Sequence, residues 1–98
     1  MFKMHKLTKD GFESQKKPNG IYIFASMDCF TCTHHIEEFK KFSNSFYVVP
    51  TTEDLEYFIN LGINITPTTR LYKNGEIIFE KSGMFFESQF NELRKVLE

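Results

Sequence analysis

The sequence predicts an α/β fold, a mixed sheet of four to five strands with helices packed on both faces. Three observations predict it. IYIFAS (21–26) is a continuous apolar run that suits a strand buried on both faces. An amphipathic helical pattern starts directly after it, at Phe30. Asn74-Gly75 lies between two alternating runs, the strongest short-range signal for a hairpin. Strands joined by helices are expected to run parallel and the hairpin antiparallel, so the sheet is mixed.

The elements follow in order. FKMHKL near the start reads as an edge strand, and KDGFESQKK (9–17) as a short helix. KKPNG (16–20) is a turn by composition, and the buried strand 21–26 comes next. From Phe30, the residues Cys32, Ile36, Phe39 and Ser43 share one helical face. His35 and Phe42 lie at its edge, and Glu37, Glu38 and Lys41 lie opposite. FYVVP (46–50) is a second strand, stopped by Pro50. TTEDLEYFINLG (51–62) reads as a helix with a Thr cap, acids in its first turn and Gly62 at its end. TTRLYKNGEIIFEKSG (68–83) is the hairpin. In the last stretch Phe86, Phe90, Leu93 and Leu97 recur at helical spacing, so a final helix closes the domain.

The chain has 98 residues, the size of one domain (1–98), and 12 Phe and 4 Tyr to fill its core. Lys plus Arg number 12 and Asp plus Glu 13, interspersed, so no basic stripe supports nucleic-acid binding. Lys16-Lys17 and Lys40-Lys41 read as solvated surface. No apolar run approaches the roughly 20 residues a membrane span needs, and the start shows no signal-peptide core. A soluble cytoplasmic protein with no membrane partner is expected.

The chemistry concentrates in MDCFTCTHH (27–35). Both cysteines of the chain, Cys29 and Cys32, stand there two residues apart, which is no disulfide framework. In a reducing cytosol a Cys-x-x-Cys beside strand–helix alternation reads as redox chemistry first. Cys29 is expected at the helix entrance, where unpaired N–H groups and the helix dipole stabilise a thiolate. Cys32, one turn in, is expected to be buried and to resolve the mixed disulfide that Cys29 forms. Asp28 is expected to oppose the thiolate by like charge. His34 reads as surface, and His35 as packed beside Phe42 and Cys32.

Two other readings stand beside this one. The first is a metal module with Cys29, Cys32 and His34 or His35 as ligands and His5 as a fourth. It lacks the second ligand pair usual for structural zinc. The second is an interaction module that uses the fold as a docking surface and leaves the thiols idle.

Three landmarks in sequence order resemble thioredoxin: the Cys-x-x-Cys after a central strand, GINITPT (62–68), and LYKNGEIIFEKSG (71–83) ending in Gly83. The resemblance covers essentially the whole chain and implies a thioredoxin-like fold and a thiol–disulfide oxidoreductase, thioredoxin- or glutaredoxin-like and closest to thioredoxin. Pro67 matches the family's cis-proline, and a cis bond is cheap only before proline. The resemblance implies that the Thr66 backbone pairs with an extended substrate segment. Phe30, Met27 and Ile65 are expected at an apolar rim. No cofactor is implied beyond the redox-active Cys29–Cys32 pair. The implied partners are protein disulfides and an upstream thioredoxin reductase or glutathione, with the chain a monomer.

The departures are specific. Phe30-Thr31 replaces the family's usual dipeptides between the cysteines. Asp28 stands where thioredoxins usually have Trp, and Ile23 where they bury an Asp. The helix lacks the usual proline kink, and no Gly-Gly segment of the glutaredoxin kind follows the hairpin. With Ile23 below the cysteines, Cys29 is expected to titrate simply, without a linked second step.

Overall fold

The computed structural model describes residues 3–6, 12–13, 19–26, 28–43, 45–51 and 55–97. Its elements are β1 (Lys3–Lys6), β2 (Gly20–Ser26), α1 (Phe30–Phe42), β3 (Ser45–Thr51), α2 (Leu55–Asn60), β4 (Thr68–Lys73), β5 (Glu76–Ser82) and α3 (Glu87–Leu97). The five strands form one sheet in the order β1-β3-β2-β4-β5. β1 and β2 both run parallel to β3, while β4 runs antiparallel to β2 and to β5. The mixed sheet expected from the sequence is therefore present, with β2 at its centre. Of the short helix expected over 9–17, only residues 12–13 lie among the described residues.

Period-2 alternation divides the core into two layers. Ile21, Ile23 and Ala25 of β2 point to the side where Ile36 and Phe39 of α1 and Leu93 of α3 pack. Tyr22 and Phe24 point to the opposite side, against Tyr57 and Phe58 of α2 and against Phe12. Phe39 is the hub of the first layer, with ring centroids of Phe42, Phe46, Phe85 and Phe90 within 5.0–5.7 Å. Aromatic rings, each burying a large area, supply much of this layer.

Three sequence expectations are corrected. Pro50 does not stop β3. It pairs with Ala25, and the strand runs on to Thr51. Among the described residues β1 pairs with β3 as far as Val48, and a strand accepts a proline where its missing N–H faces no ladder partner. Thr51 is accordingly a strand residue rather than a helix cap, and α2 is shorter than the predicted 51–62. Phe86 and Leu97 do not share the buried stripe of α3. Both are exposed, Leu93 is fully buried, and Phe90 is half-buried. Phe86 precedes the first helical residue, so helical spacing does not govern it. Its N–H donates to the Gln89 side chain at 2.8 Å, half of a capping box.

The other punctuation falls where the sequence puts it. Asn74 and Gly75 both have positive φ (55° and 83°), as a type I′ turn requires. Gly62, at φ 81°, ends α2 in a Schellman motif: its N–H bonds to Ile59 O and that of Ile63 to Phe58 O, both at 2.9 Å. A buried arginine, Arg70 of β4, reinforces this end. It donates to Leu61 O at 2.7 Å and to the Tyr72 hydroxyl at 3.0 Å, pairs with Glu80, and lies over the Phe24 ring.

Candidate active site

β2 delivers the chain to the top of the sheet at Ser26. The Cys29 N–H then bonds back to Ser26 O at 3.1 Å, and Cys29 becomes the N-cap residue of α1 in extended conformation. Helix α1 starts at Phe30 with no acidic residue in its first turn, so its free N–H groups face the Cys29 sulfur unopposed from within the helix. Cys29 is half-buried and Cys32 is buried. Both are free thiols.

The two sulfurs differ in their surroundings. The Cys29 thiol is lowered to about 7, first by a hydrogen bond with the Thr31 hydroxyl, then by the backbone N–H and thiol of Cys32. The Sγ–Oγ1 distance to Thr31 is 2.8 Å. The Cys32 thiol is raised, first by burial and also by the neighbouring Cys29 charge; the Ser26 backbone and the Thr66 side chain oppose the rise. Cys29 therefore ionises first while Cys32 keeps its proton and donates it. This corrects the expectation of a simple Cys29 titration, since the second thiol itself supplies the linked step. Asp28 does not prevail against the thiolate. It is exposed, where water screens its charge.

The second half of the site is Ile65-Thr66-Pro67. The Thr66–Pro67 bond is cis, as the sequence resemblance implied. The Thr66 side chain reaches Cys32, and the Pro67 carbonyl accepts the Gly83 N–H at 2.7 Å. The head of α1 and the 65–67 loop thus meet at Cys32, and the 83–86 loop is bonded to the second of them through Gly83. Phe30, Ile65 and Phe86 on these segments are all strongly exposed, Phe30 at 85 %. Met27, also expected at the rim, lies outside the described residues. A groove of about 490 Å³ between α1 and α3, lined by His34, Phe42, Met84, Phe86 and Arg94 among others, contains neither cysteine.

The two histidines separate as expected in direction, but further than expected. His34 is exposed. His35 is not at the edge of the helix stripe; it is 1 % exposed, with its ring against Phe39 and Phe85. The Phe85 N–H donates to Nδ1 at 3.4 Å, so Nε2 carries the proton and donates to Thr69 Oγ1 at 2.9 Å. Burial, helped by charge on His34, holds this imidazole neutral, with its pKa lowered to about 4. Among the described residues no group of three or more His, Cys, Asp and Glu side chains is placed to hold a metal ion.

Sequence reasoning missed Thr31 and the partners of His35. A hydroxyl two residues after the first cysteine was the available signal for Thr31. Thr69 is 34 residues from His35, and nothing local announces it.

A sheet of this order, with a dithiol at the head of the helix after its central strand and a cis-proline beside it, defines a thioredoxin-fold protein. Solved structures agree. Chlamydomonas reinhardtii thioredoxin f2 is 20 % identical, with a TM-score of 0.80 over 96 % of this chain and 96 % of that one. The short form of spinach chloroplast thioredoxin f is 16 % identical, with a TM-score of 0.77 over 98 % and 95 %. A structure of ferredoxin:thioredoxin reductase in complex with thioredoxin f2 gives 18 % and 0.78, over 97 % and 96 %. No protein-family model and no curated protein matches the chain. At these identities the likeness is one of fold.

Proposed function

We propose that this protein is a thiol–disulfide oxidoreductase that reduces protein disulfides with the Cys29–Cys32 dithiol. The observation that carries the reading is the asymmetry of the pair: an accessible sulfur lowered to about 7 beside a buried one that is raised. A nucleophile with pKa near the ambient pH is the most effective attacking thiol. The Cys29 thiolate attacks a substrate sulfur, a mixed disulfide forms, and the other substrate sulfur leaves as thiolate. Cys32, losing its proton, attacks the Cys29 sulfur. The Cys29–Cys32 disulfide forms and the second substrate sulfur departs. Two electrons pass to the substrate, and its two thiolates take up two protons. A dithiol reductant upstream restores the pair.

Cys29 and Cys32 are the reacting groups in this reading. Thr66, Pro67, Phe30 and Met27 form the substrate surface, with an extended polypeptide laid along the Thr66 backbone. No cofactor is needed beyond the dithiol. A thioredoxin reductase is the favoured electron source over glutathione, in line with the reductase complex known for a protein of this fold. The protein acts as a monomer in a reducing compartment, the cytoplasm. No helix among the described residues is long and apolar enough to cross a membrane.

The test has two arms. Cys32→Ser is expected to accumulate mixed disulfides with a protein substrate, and Cys29→Ser to accumulate none. A coupled assay then compares a thioredoxin reductase with glutathione as electron source. If the wild-type protein catalyses no disulfide reduction with either, the reading fails.

A further inference from the structure

We infer that His35 is a positioning residue that holds the dithiol helix in place against the cis-proline loop and the 83–86 loop bonded to it, and that polypeptide substrates depend on it where small disulfides do not. The inference deepens the oxidoreductase reading and rests on it.

One imidazole ties three segments together. His35 belongs to α1, one turn after Cys32. Its Nε2–H bonds to Thr69, two residues beyond the cis Thr66–Pro67 bond. Its Nδ1 accepts the N–H of Phe85, two residues beyond Gly83, whose own N–H bonds to Pro67 O. α1, the 65–69 segment and the 83–85 segment are thus closed into a ring of hydrogen bonds through His35 and Gly83. The Thr66 contact to Cys32 also bridges α1 to the 65–67 loop, but it uses a sulfur that changes partners in every turnover. The bonds of His35 involve no reacting atom and persist throughout.

The choice of residue argues the same way. Phe39, Phe85 and the neighbouring core would accept a Leu at this position, and burying an imidazole carries a desolvation cost that Leu avoids. A buried polar group that is fully satisfied specifies one arrangement of its neighbours. Here both ring nitrogens are satisfied, by groups on β4 and on the loop before α3, so the ring fixes α1 relative to both. It is not placed to act as a base toward Cys32, because neither nitrogen is free.

An extended substrate laid along the Thr66 backbone must contact α1 and the 65–67 loop at once, so a shift of one against the other degrades its alignment. A small disulfide meets only the Cys29 sulfur. The experiment compares wild type, His35→Leu, His35→Gln and Thr69→Val, with reduced insulin formation and reduction of hydroxyethyl disulfide as the two readouts. His35→Leu is expected to raise KM for insulin, lowering kcat/KM about tenfold, the scale of a sub-ångström misplacement. Its rate with hydroxyethyl disulfide and its Cys29 alkylation are expected to stay within about twofold of wild type, no interaction of the sulfur having been removed. His35→Gln, whose amide offers a donor and an acceptor, is expected to restore KM, and Thr69→Val to reproduce part of the loss without touching α1. Equal losses with both substrates, or an unchanged KM in a folded His35→Leu or Thr69→Val protein, overturn the inference while leaving the oxidoreductase standing. A wild-type protein inert toward both disulfides removes the functional reading and this inference with it.

Discussion

Acid is the perturbation that isolates His35 from the rest of the molecule. In the unfolded chain an imidazole titrates near 6.5. In the native protein His35 is lowered to about 4, first by burial and then by charge on His34. The folded-state value is depressed, so the unfolded state binds the proton more readily. The stability that neutral His35 carries is therefore complete above about pH 6.5, declines as pH falls, and is lost by about pH 4. Within that window the slope is about 1.4 kcal/mol per pH unit, and the gap corresponds to about 3 kcal/mol. Against a total of roughly 5–15 kcal/mol for a domain, that is a large share. Urea unfolding followed by far-UV circular dichroism at steps from pH 7 to pH 4 measures it. The same series on His35→Gln supplies the reference, because carboxylates contribute to both proteins and cancel in the difference. Wild type is expected to lose about 3 kcal/mol more than the variant over this range. Parallel losses in the two proteins refute the argument. So does a native His35 ring that titrates near 6.5 when followed by proton NMR, a measurement that needs no variant.

Three further outcomes are expected. Thr31→Val removes the hydroxyl 2.8 Å from the Cys29 sulfur; the midpoint of Cys29 alkylation against pH is expected to move upward from about 7, and an unmoved midpoint would mean that the helix end alone sets it. Gly62→Ala places a side chain at φ 81°, with its Cβ at an ordinary 3.6 Å from the Arg70 guanidinium, so the cost is conformational and about 1 kcal/mol by urea unfolding; a neutral result would show that α2 does not depend on its Schellman end. The reduced protein is expected to purify without stoichiometric zinc by elemental analysis; about one zinc per chain, lost in Cys29→Ser, would favour the metal module instead.

Much of the fold was legible because its signals are local. The apolar run 21–26, Asn74-Gly75 and Gly62 each act within a few residues, and each sits where the sequence put it. The dithiol was legible for the same reason, since its spacing is one helical turn. What was not legible depends on partners far along the chain. His35 was placed at the edge of a stripe because periodicity weighs only the apolar residues of its own helix; the Thr69 hydroxyl and Phe85 N–H that satisfy it come from β4 and from the loop before α3. Pro50 misled because its tolerance depends on the strands beside it, and its pairing with Ala25 is not announced by the residues around it. Phe86 misled because a residue just outside a helix continues the spacing of its side chains in sequence but not in space.

The same distinction bears on the route of the second proton. Ile23 is fully buried in the same layer as Cys32, so no carboxylate lies beneath the resolving thiol at that position. His35, one turn away, has both nitrogens engaged. The groups that do reach Cys32 are the Ser26 backbone, the Thr66 side chain and Cys29 itself, and none of the first two is a base at neutral pH. While Cys29 is a thiolate, Cys32 is its hydrogen-bond donor, and this contributes to lowering the first pKa. In the proposed reaction, once Cys29 is tied to a substrate sulfur, that acceptor is lost, and the charge that raised Cys32 is lost with it. The attack that poises Cys29 thus removes one of the causes holding the proton on Cys32, leaving burial as the principal barrier. Thr66 and the Ser26 backbone then stabilise the thiolate that forms, and the proton goes to water or to the departing substrate sulfur. In the proposed oxidoreductase, resolution is governed by how the mixed disulfide relieves Cys32 rather than by a resident base.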